Sequence, residues 1–456
     1  FAHERTGGVD FYVEGTYEPE SGTFSLDILE NEEKKAGAAF PISYENRLEA
    51  KTAIKRELYG LLSARTGKTL PWGTLTGIRP TKIALSRLDQ GVSEGEIREF
   101  MEKTYLTSSE KIGLSLEIAA REQELLSHID YENGYSLYVG IPFCPTTCLY
   151  CSFTSYPISK WKGRTGLYLE ALFKEMEYVA DKMKGRPLDT IYFGGGTPTA
   201  LPAEDIDAIL TKLDQLFDTE NALEFTVEAG RPDSITEEKL RVLRDHGITR
   251  ISINPQTMNQ KTLDLIGRRH TVAQFLEAFD MSCRCGLDNI NTDLIAGLPG
   301  DDYEGFTQTL EGILRLDPES VTVHTLSMKR ASNLVIHRRA DYRVKDDAVR
   351  MVGLTADRLP LAGYRPYYLY RQSRTVGNQE NVGYALPGHA CQYNVDIMEE
   401  TTHILALGAG GISKRVYPEE GHIGRAPNVS NIEQYIARVE EMIGRKKALF
   451  LPEMPL

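Results

Sequence analysis

The chain has 456 residues, 41% of them hydrophobic and 26% charged, with a net charge of −13. That length allows roughly two to four domains, or one large barrel with additions, and the composition excludes a disordered or fibrous chain. No apolar run reaches the ~18 residues of a membrane span, so integral membrane association is not expected, and the acidic balance argues against nucleic-acid binding. No secretory or lipidation signal stands at the start, which is Phe1 rather than Met, and the expected location is cytoplasmic.

Residues 1–131 read as an α+β domain. Val9–Tyr17 and Thr23–Leu29 are strand-like, with Glu18–Gly22 as the turn. Helical periodicity follows over Tyr44–Thr66, Pro80–Leu88, Glu94–Glu102 and Glu110–Ile129, and Ser93 with Glu96 has the spacing of a capping box. The stretch Trp72–Lys82, WGTLTGIRPTK, reads as a basic, solvated loop.

From Tyr135 the rhythm changes. Short apolar runs occur at Ser136–Ile141, Thr190–Phe193, Glu224–Glu228, Arg250–Ile253, Asn289–Ile295 and Ser320–Leu326. Helical patterns lie between them, over Leu167–Met183, Ala203–Phe217, Ile235–Asp245, Val272–Cys285 and Tyr303–Leu314. Such alternation implies βαβ units on a parallel sheet, here an open or partial barrel of about six repeats over residues 132–340. Chemistry on such barrels gathers at the C-terminal ends of the strands. Residues 341–456 read as a C-terminal α+β domain, helical over Asp347–Leu359 and Ile432–Ile443, with loops or short strands over Tyr364–Gln392.

Three of the six cysteines fall in one run, Cys144-Pro-Thr-Thr-Cys148-Leu-Tyr-Cys151. Closely spaced thiolates are soft ligands for an iron–sulfur cluster or zinc. A closed zinc site takes four ligands, and no fourth Cys or His stands at a nearby spacing. A cubane held by three thiolates leaves one iron open for a ligand. After the second apolar run comes Gly194-Gly195-Gly196-Thr197-Pro198, a turn that permits close backbone approach.

The C-x3-C-x2-C loop after a first strand, with Tyr150 before its last cysteine, resembles that of the radical S-adenosylmethionine (SAM) enzymes. The resemblance extends through SLYVGIPFC, YFGGGTPT, FTVEAGRPDSI, RISINPQTMNQKTLDLIGRRH and NINTDLIAGLPG, in order over about Ser136–Ser327. This ordered set is similar to the oxygen-independent coproporphyrinogen III dehydrogenases, also called oxidases. The flanks Trp72–Lys82, Thr325–Leu334 and Asn381–Gly411 look like the branch labelled HemZ.

The resemblance implies a partial (β/α)6 barrel and a [4Fe–4S] cluster on Cys144, Cys148 and Cys151. It also implies SAM contacts from Tyr138, Gly195, Gly196, Thr197, Glu228, Gln256, Arg268, Asp293 and Ile295. The implied reaction removes a hydrogen from a propionate β-carbon, and loss of CO2 and one electron then leaves a vinyl group, two rounds yielding protoporphyrinogen IX. A low-potential electron donor such as flavodoxin or ferredoxin is the implied partner. The carboxylates of a tetrapyrrole need basic partners, with candidates among Lys329-Arg330, Arg338-Arg339, Arg365, Arg371, Arg374 and Lys414-Arg415.

Two departures from the family pattern stand out. Phe153 occupies the place of a further cysteine found in the best-known dehydrogenases, and Tyr393-Asn394 stands where the related haem chaperones have a His-Asn pair. His389, Cys391, Cys283 and Cys285 read as structural side chains. A haem-transfer protein on the same fold, or another radical SAM reaction on a tetrapyrrole, are the alternative readings.

Overall fold

A computed structural model describes residues 11–451, apart from 44, 78, 131–132, 330–331, 333, 335–346 and 418–420. The chain divides into two compact units, residues 1–119 and 120–456.

In the first unit, β1 (Tyr12–Glu18), β2 (Thr23–Glu30) and β3 (Glu33–Pro41) form an antiparallel meander. The third strand has no counterpart in the sequence pattern. Its run EKKAGAAFP lacks β-branched residues, and pairing with β2 makes it a strand. Helix α1 (Arg47–Thr66) starts at Asn46, whose side chain accepts from the N–H groups of Leu48 and Glu49, and stops at Gly67 with φ 66°. Next come α2 (Thr81–Asp89) and α3 (Glu94–Tyr105), the latter opened by the Ser93–Glu96 capping box. The expected solvated loop at Trp72–Lys82 is corrected in its first half. Trp72 is fully buried, and the Thr74 N–H donates to the Tyr105 carbonyl at 2.7 Å. Helix α4 (Ser109–Leu126) begins in this unit and ends in the next.

The second unit opens with β4 (Tyr135–Ile141), the short pair β5 (Phe143–Cys144) and β6 (Tyr156–Pro157), and α5 (Thr165–Lys182). It continues through β7 (Leu188–Gly195), α6 (Ala203–Leu216), β8 (Glu224–Glu228), α7 (Glu237–Asp245) and β9 (Arg250–Ser252). Then follow α8 (Gln260–Leu265), α9 (Val272–Arg284), β10 (Ile290–Ala296), α10 (Tyr303–Leu316) and β11 (Ser320–Thr325). Strands β4, β7, β8, β9, β10 and β11 lie side by side in that order, all parallel. This is the six-strand β/α array that the alternating pattern predicts. Its strands are buried nearly throughout, so they read as continuous apolar runs rather than alternating ones.

The expectation of a separate C-terminal domain over 341–456 is also corrected. Beyond α11 (Asp347–Leu361), β12 (Arg365–Tyr370) and β13 (Asn381–Ala385) extend the sheet antiparallel beside β11. After α12 (Gln392–Glu399), β14 (His403–Leu407) pairs parallel with β4 on the opposite side. Strands β15 (Ile412–Tyr417) and β16 (His422–Pro427) follow, then α13 (Ile432–Ala437) and α14 (Val439–Leu449). The result is one eleven-stranded sheet, flanked at both ends by late segments of the chain. No helix among the described residues is long and apolar enough to cross a membrane.

Candidate active site

The C-terminal ends of the parallel strands meet a cavity of about 560 Å³. The cysteine loop leaves β4 and is tied to the glycine turn after β7. The Gly196 N–H donates to the Ile141 carbonyl and the Thr197 N–H to the Phe143 carbonyl, each at 2.7 Å. Thr197 Oγ1 lies 3.4 Å from Cys144 Sγ. Glycine is required at both central positions. Gly195 has φ 117° and a Cβ there would meet Ile141 N at 2.7 Å, while one on Gly196 would meet the Phe143 carbonyl oxygen at 2.6 Å. The Leu149 N–H donates to the Ile266 carbonyl at 2.9 Å, anchoring the loop near the end of α8.

Cys144, Cys148 and Cys151 all line the cavity. Burial raises the Cys144 thiol and pushes Cys151 up to about 11. Such thiols stay protonated until a metal displaces the proton. No three His, Cys, Asp or Glu side chains among the described residues are grouped for a single metal ion. A cubane makes a different demand, because each of its thiolate ligands takes a separate iron.

Tyr138, Gly195, Gly196, Thr197, Glu228, Gln256, Arg268, Asp293 and Ile295 line the same cavity. Burial, and then the nearby Asp293, push Glu228 up to about 8, so its carboxyl is largely protonated at neutral pH. Burial also works against the Asp293 carboxylate. His324, at 3.5 Å, and the Asn291 amide, at 2.8 Å, nevertheless hold it below the ordinary carboxylate range. Arg268 donates through Nη1 to the carbonyls of Asn254 at 2.5 Å and Gly230 at 3.3 Å.

Gln256 sits at φ 68°, rare for a residue with a Cβ. It is held there by a bridge to β10, its N–H donating to the Asp293 carbonyl and its carbonyl accepting from the Ile295 N–H, each at 3.0 Å. Gln256 Oε1 and Arg268 Nε are buried without a hydrogen-bond partner. An open acceptor, an open donor, a neutral acid beside an ionised one, and three thiols fit a soft metal cluster together with a zwitterionic ligand bearing hydroxyls.

The basic candidates divide into one that lines the cavity and others that do not. Lys329 lines the cavity, whereas Arg365, Arg371, Arg374, Lys414 and Arg415 do not. Lys414 instead pairs with Glu400 at 3.0 Å, and Arg415 donates to the Leu449 carbonyl at 3.2 Å. Arg330, Arg338 and Arg339 lie outside the described residues. Cys391 donates to Glu224 at 3.2 Å and His389 lies 3.3 Å from Asn289, both structural contacts.

Sequence reasoning missed an aromatic wall. Tyr192 stacks on Tyr393 with centroids 4.6 Å apart, and Tyr138 lies parallel beside both. Tyr368 and Tyr370 from β12 join them in the lining. Alternation along YYLY on β12 was the available signal for that last pair, but nothing local says which cavity a strand so far along the chain from the cysteines will face.

The family model of the radical SAM superfamily matches residues 138–313. The chain is 41% identical over 442 residues to the oxygen-independent coproporphyrinogen-III oxidase-like protein HemZ of Bacillus subtilis (strain 168), covering 95% of this chain and 85% of that one. It is 29% identical to the haem chaperone HemW of the same organism, over 67% of this chain and 76% of that one. Among solved structures, coproporphyrinogen III oxidase (HemN) from Escherichia coli shares the fold with a TM-score of 0.56 at 24% identity, over 71% of this chain and 73% of the other.

Proposed function

The chain belongs to the radical SAM superfamily, in its oxygen-independent coproporphyrinogen III oxidase-like branch, and on that premise we propose that it decarboxylates coproporphyrinogen III oxidatively. At each of two propionates, loss of a hydrogen atom to the deoxyadenosyl radical, of CO2, and of one electron to an external one-electron acceptor leaves a vinyl, giving protoporphyrinogen IX. The observation that carries this reading is the single cavity shared by the cysteine loop, the glycine turn, the Glu228–Gln256–Arg268–Asp293 set and the tyrosine wall.

Cys144, Cys148 and Cys151 would hold a [4Fe–4S] cluster. When bound, that cluster supplies one electron to split SAM into methionine and a 5′-deoxyadenosyl radical. Glu228 would take the cationic or amine end of SAM and Arg268 its carboxylate. Asp293 would accept from the ribose hydroxyls, Gln256 would add a polar contact through its open Oε1, and Ile295 would pack against the adenine. The glycine turn brings backbone N–H groups close to the ligand, and Tyr138 closes the side next to β4. The tyrosine wall offers flat apolar faces with polar tips, which suits a macrocycle. Of the basic candidates, Lys329 is a described residue that lines the cavity and would meet a propionate. A low-potential donor such as flavodoxin or ferredoxin would deliver the electron.

Anaerobically reconstituted protein, given SAM, a reductant and coproporphyrinogen III, should form deoxyadenosine and lose CO2 from the tetrapyrrole, read by product mass. Tight haem binding with no CO2 release would transfer the assignment to a haem carrier. The HemW relatives favour that second reading.

A further inference from the structure

The segment after β8, Gly230-Arg231-Pro232-Asp233, stands in one of the family-like motifs, yet no role above uses its arginine. Arg231 is buried, with its side chain 3% exposed. Its guanidinium is spent on three partners. Nε donates to Asp233 Oδ1 at 2.9 Å and Nη2 to Oδ2 at 2.8 Å, a bidentate fork. Nη1 donates to the Thr146 carbonyl at 3.2 Å and to Thr146 Oγ1 at 3.1 Å. The same Nη1 donates to Cys148 Sγ at 3.7 Å. The backbone is fixed as well, because the Ser234 N–H and hydroxyl both donate to the Arg231 carbonyl.

A buried cation is costly unless paired, and Asp233 supplies the pair. Yet Asp233 alone would be satisfied by a guanidinium anywhere along its fork. The third nitrogen is turned onto the cysteine loop and reaches the sulfur of its middle cysteine.

Hydrogen bonds to cluster sulfurs and local net charge set reduction potentials, because reduction adds a negative charge that donors and cations stabilise. We propose that Arg231 is a tuning residue: its N–H donated to the Cys148 thiolate raises the reduction potential of the cluster, and Asp233 both aims the guanidinium and moderates its charge. This rests on the reading that Cys144, Cys148 and Cys151 hold a [4Fe–4S] cluster. Arg231 lines the cavity as well, but the role proposed for it is that of a positioning and tuning group acting through the Cys148 sulfur.

The test is a redox titration of anaerobically reconstituted full-length protein without SAM, followed by electron paramagnetic resonance, with iron and sulfide counted per chain. In Arg231→Met the ratio of reduced to oxidised cluster at a fixed potential should fall about tenfold, equivalent to 59 mV for one electron. Asp233→Asn removes the moderating charge and should move the ratio the opposite way. Opposite shifts at wild-type iron content establish the tuning role. Full iron content in both variants with ratios within a factor of two of wild type overturns it. If Arg231→Met loses iron, Asp233→Asn decides alone: a rise supports the proposal, and no shift or a fall overturns it. A wild type that binds no iron fails the cluster reading itself, which the iron count separates from failure of the tuning role.

Discussion

Two buried carboxyl networks in the second unit are built to opposite standards. Glu175 on α5 and Lys446 on α14 are both fully buried and 2.5 Å apart. The two Glu175 oxygens also accept from Tyr435, the Gly408 N–H and Asn428 at 2.6–2.8 Å, and Lys446 donates to Asn428 at 2.8 Å. At the cavity, burial and the nearby Asp293 keep Glu228 largely protonated at neutral pH, and Gln256 and Arg268 each keep a buried atom unpartnered. The first network stitches α5 to the segments that follow β14 and β16. The second leaves polar atoms open at the cavity, as the proposed SAM site requires. Full satisfaction marks a structural site, and partial satisfaction with nearby ionised groups marks a functional one.

The largest effect should come from breaking the closed network. Lys446→Met leaves Glu175 buried beside an absent charge and should cost about 3–5 kcal/mol of stability, read by urea unfolding. A loss below about 1 kcal/mol would erase the distinction between the two networks. Glu228→Gln should behave in the reverse way. SAM binding to the reconstituted protein should weaken by about 1.5–3 kcal/mol, measured calorimetrically, while stability at pH 7 does not fall.

The same residue gives a pH signature. Its carboxyl keeps a proton up to about pH 8 in the folded chain, against 4.5 for an ordinary glutamate. Its contribution to stability is therefore complete below pH 4.5 and is lost as pH rises through 8. Ligand-free wild type should lose stability relative to Glu228→Gln between pH 5 and 8, and parallel unfolding curves for the two proteins would contradict the assignment. The smallest effect concerns strain. Gln256→Gly relieves the positive φ and Gln256→Ala does not, so the glycine variant should be more stable by about 1 kcal/mol. Both should bind SAM less well.

The six core strands were legible because a parallel sheet covered on both faces writes its strands as continuous apolar runs, as in Ser136–Ile141 and Glu224–Glu228. The residues that the motif resemblance assigns to SAM follow successive strand ends, where a β/α array concentrates chemistry, and they line one cavity. Other features were not. Strand β3 is made by pairing rather than propensity, and Trp72 lies within a stretch whose composition looks solvated. The basic candidates were named from their charge and position in the sequence. Charge does not distinguish Lys329, which lines the cavity, from Lys414, which is held by Glu400.

By itself the sequence determined the β/α array and the cysteine and glycine loops at its strand ends. Period, turn chemistry and ligand spacing are local properties, carried by neighbouring residues. Only the tertiary structure decided that residues beyond 341 flank the array on both sides, that Tyr138, Tyr192 and Tyr393 stack into one wall, and that Arg231 reaches Cys148. Those facts join residues up to 268 positions apart, as between Tyr135 and His403. Such contacts follow from strand order and burial, which no local window of the chain encodes.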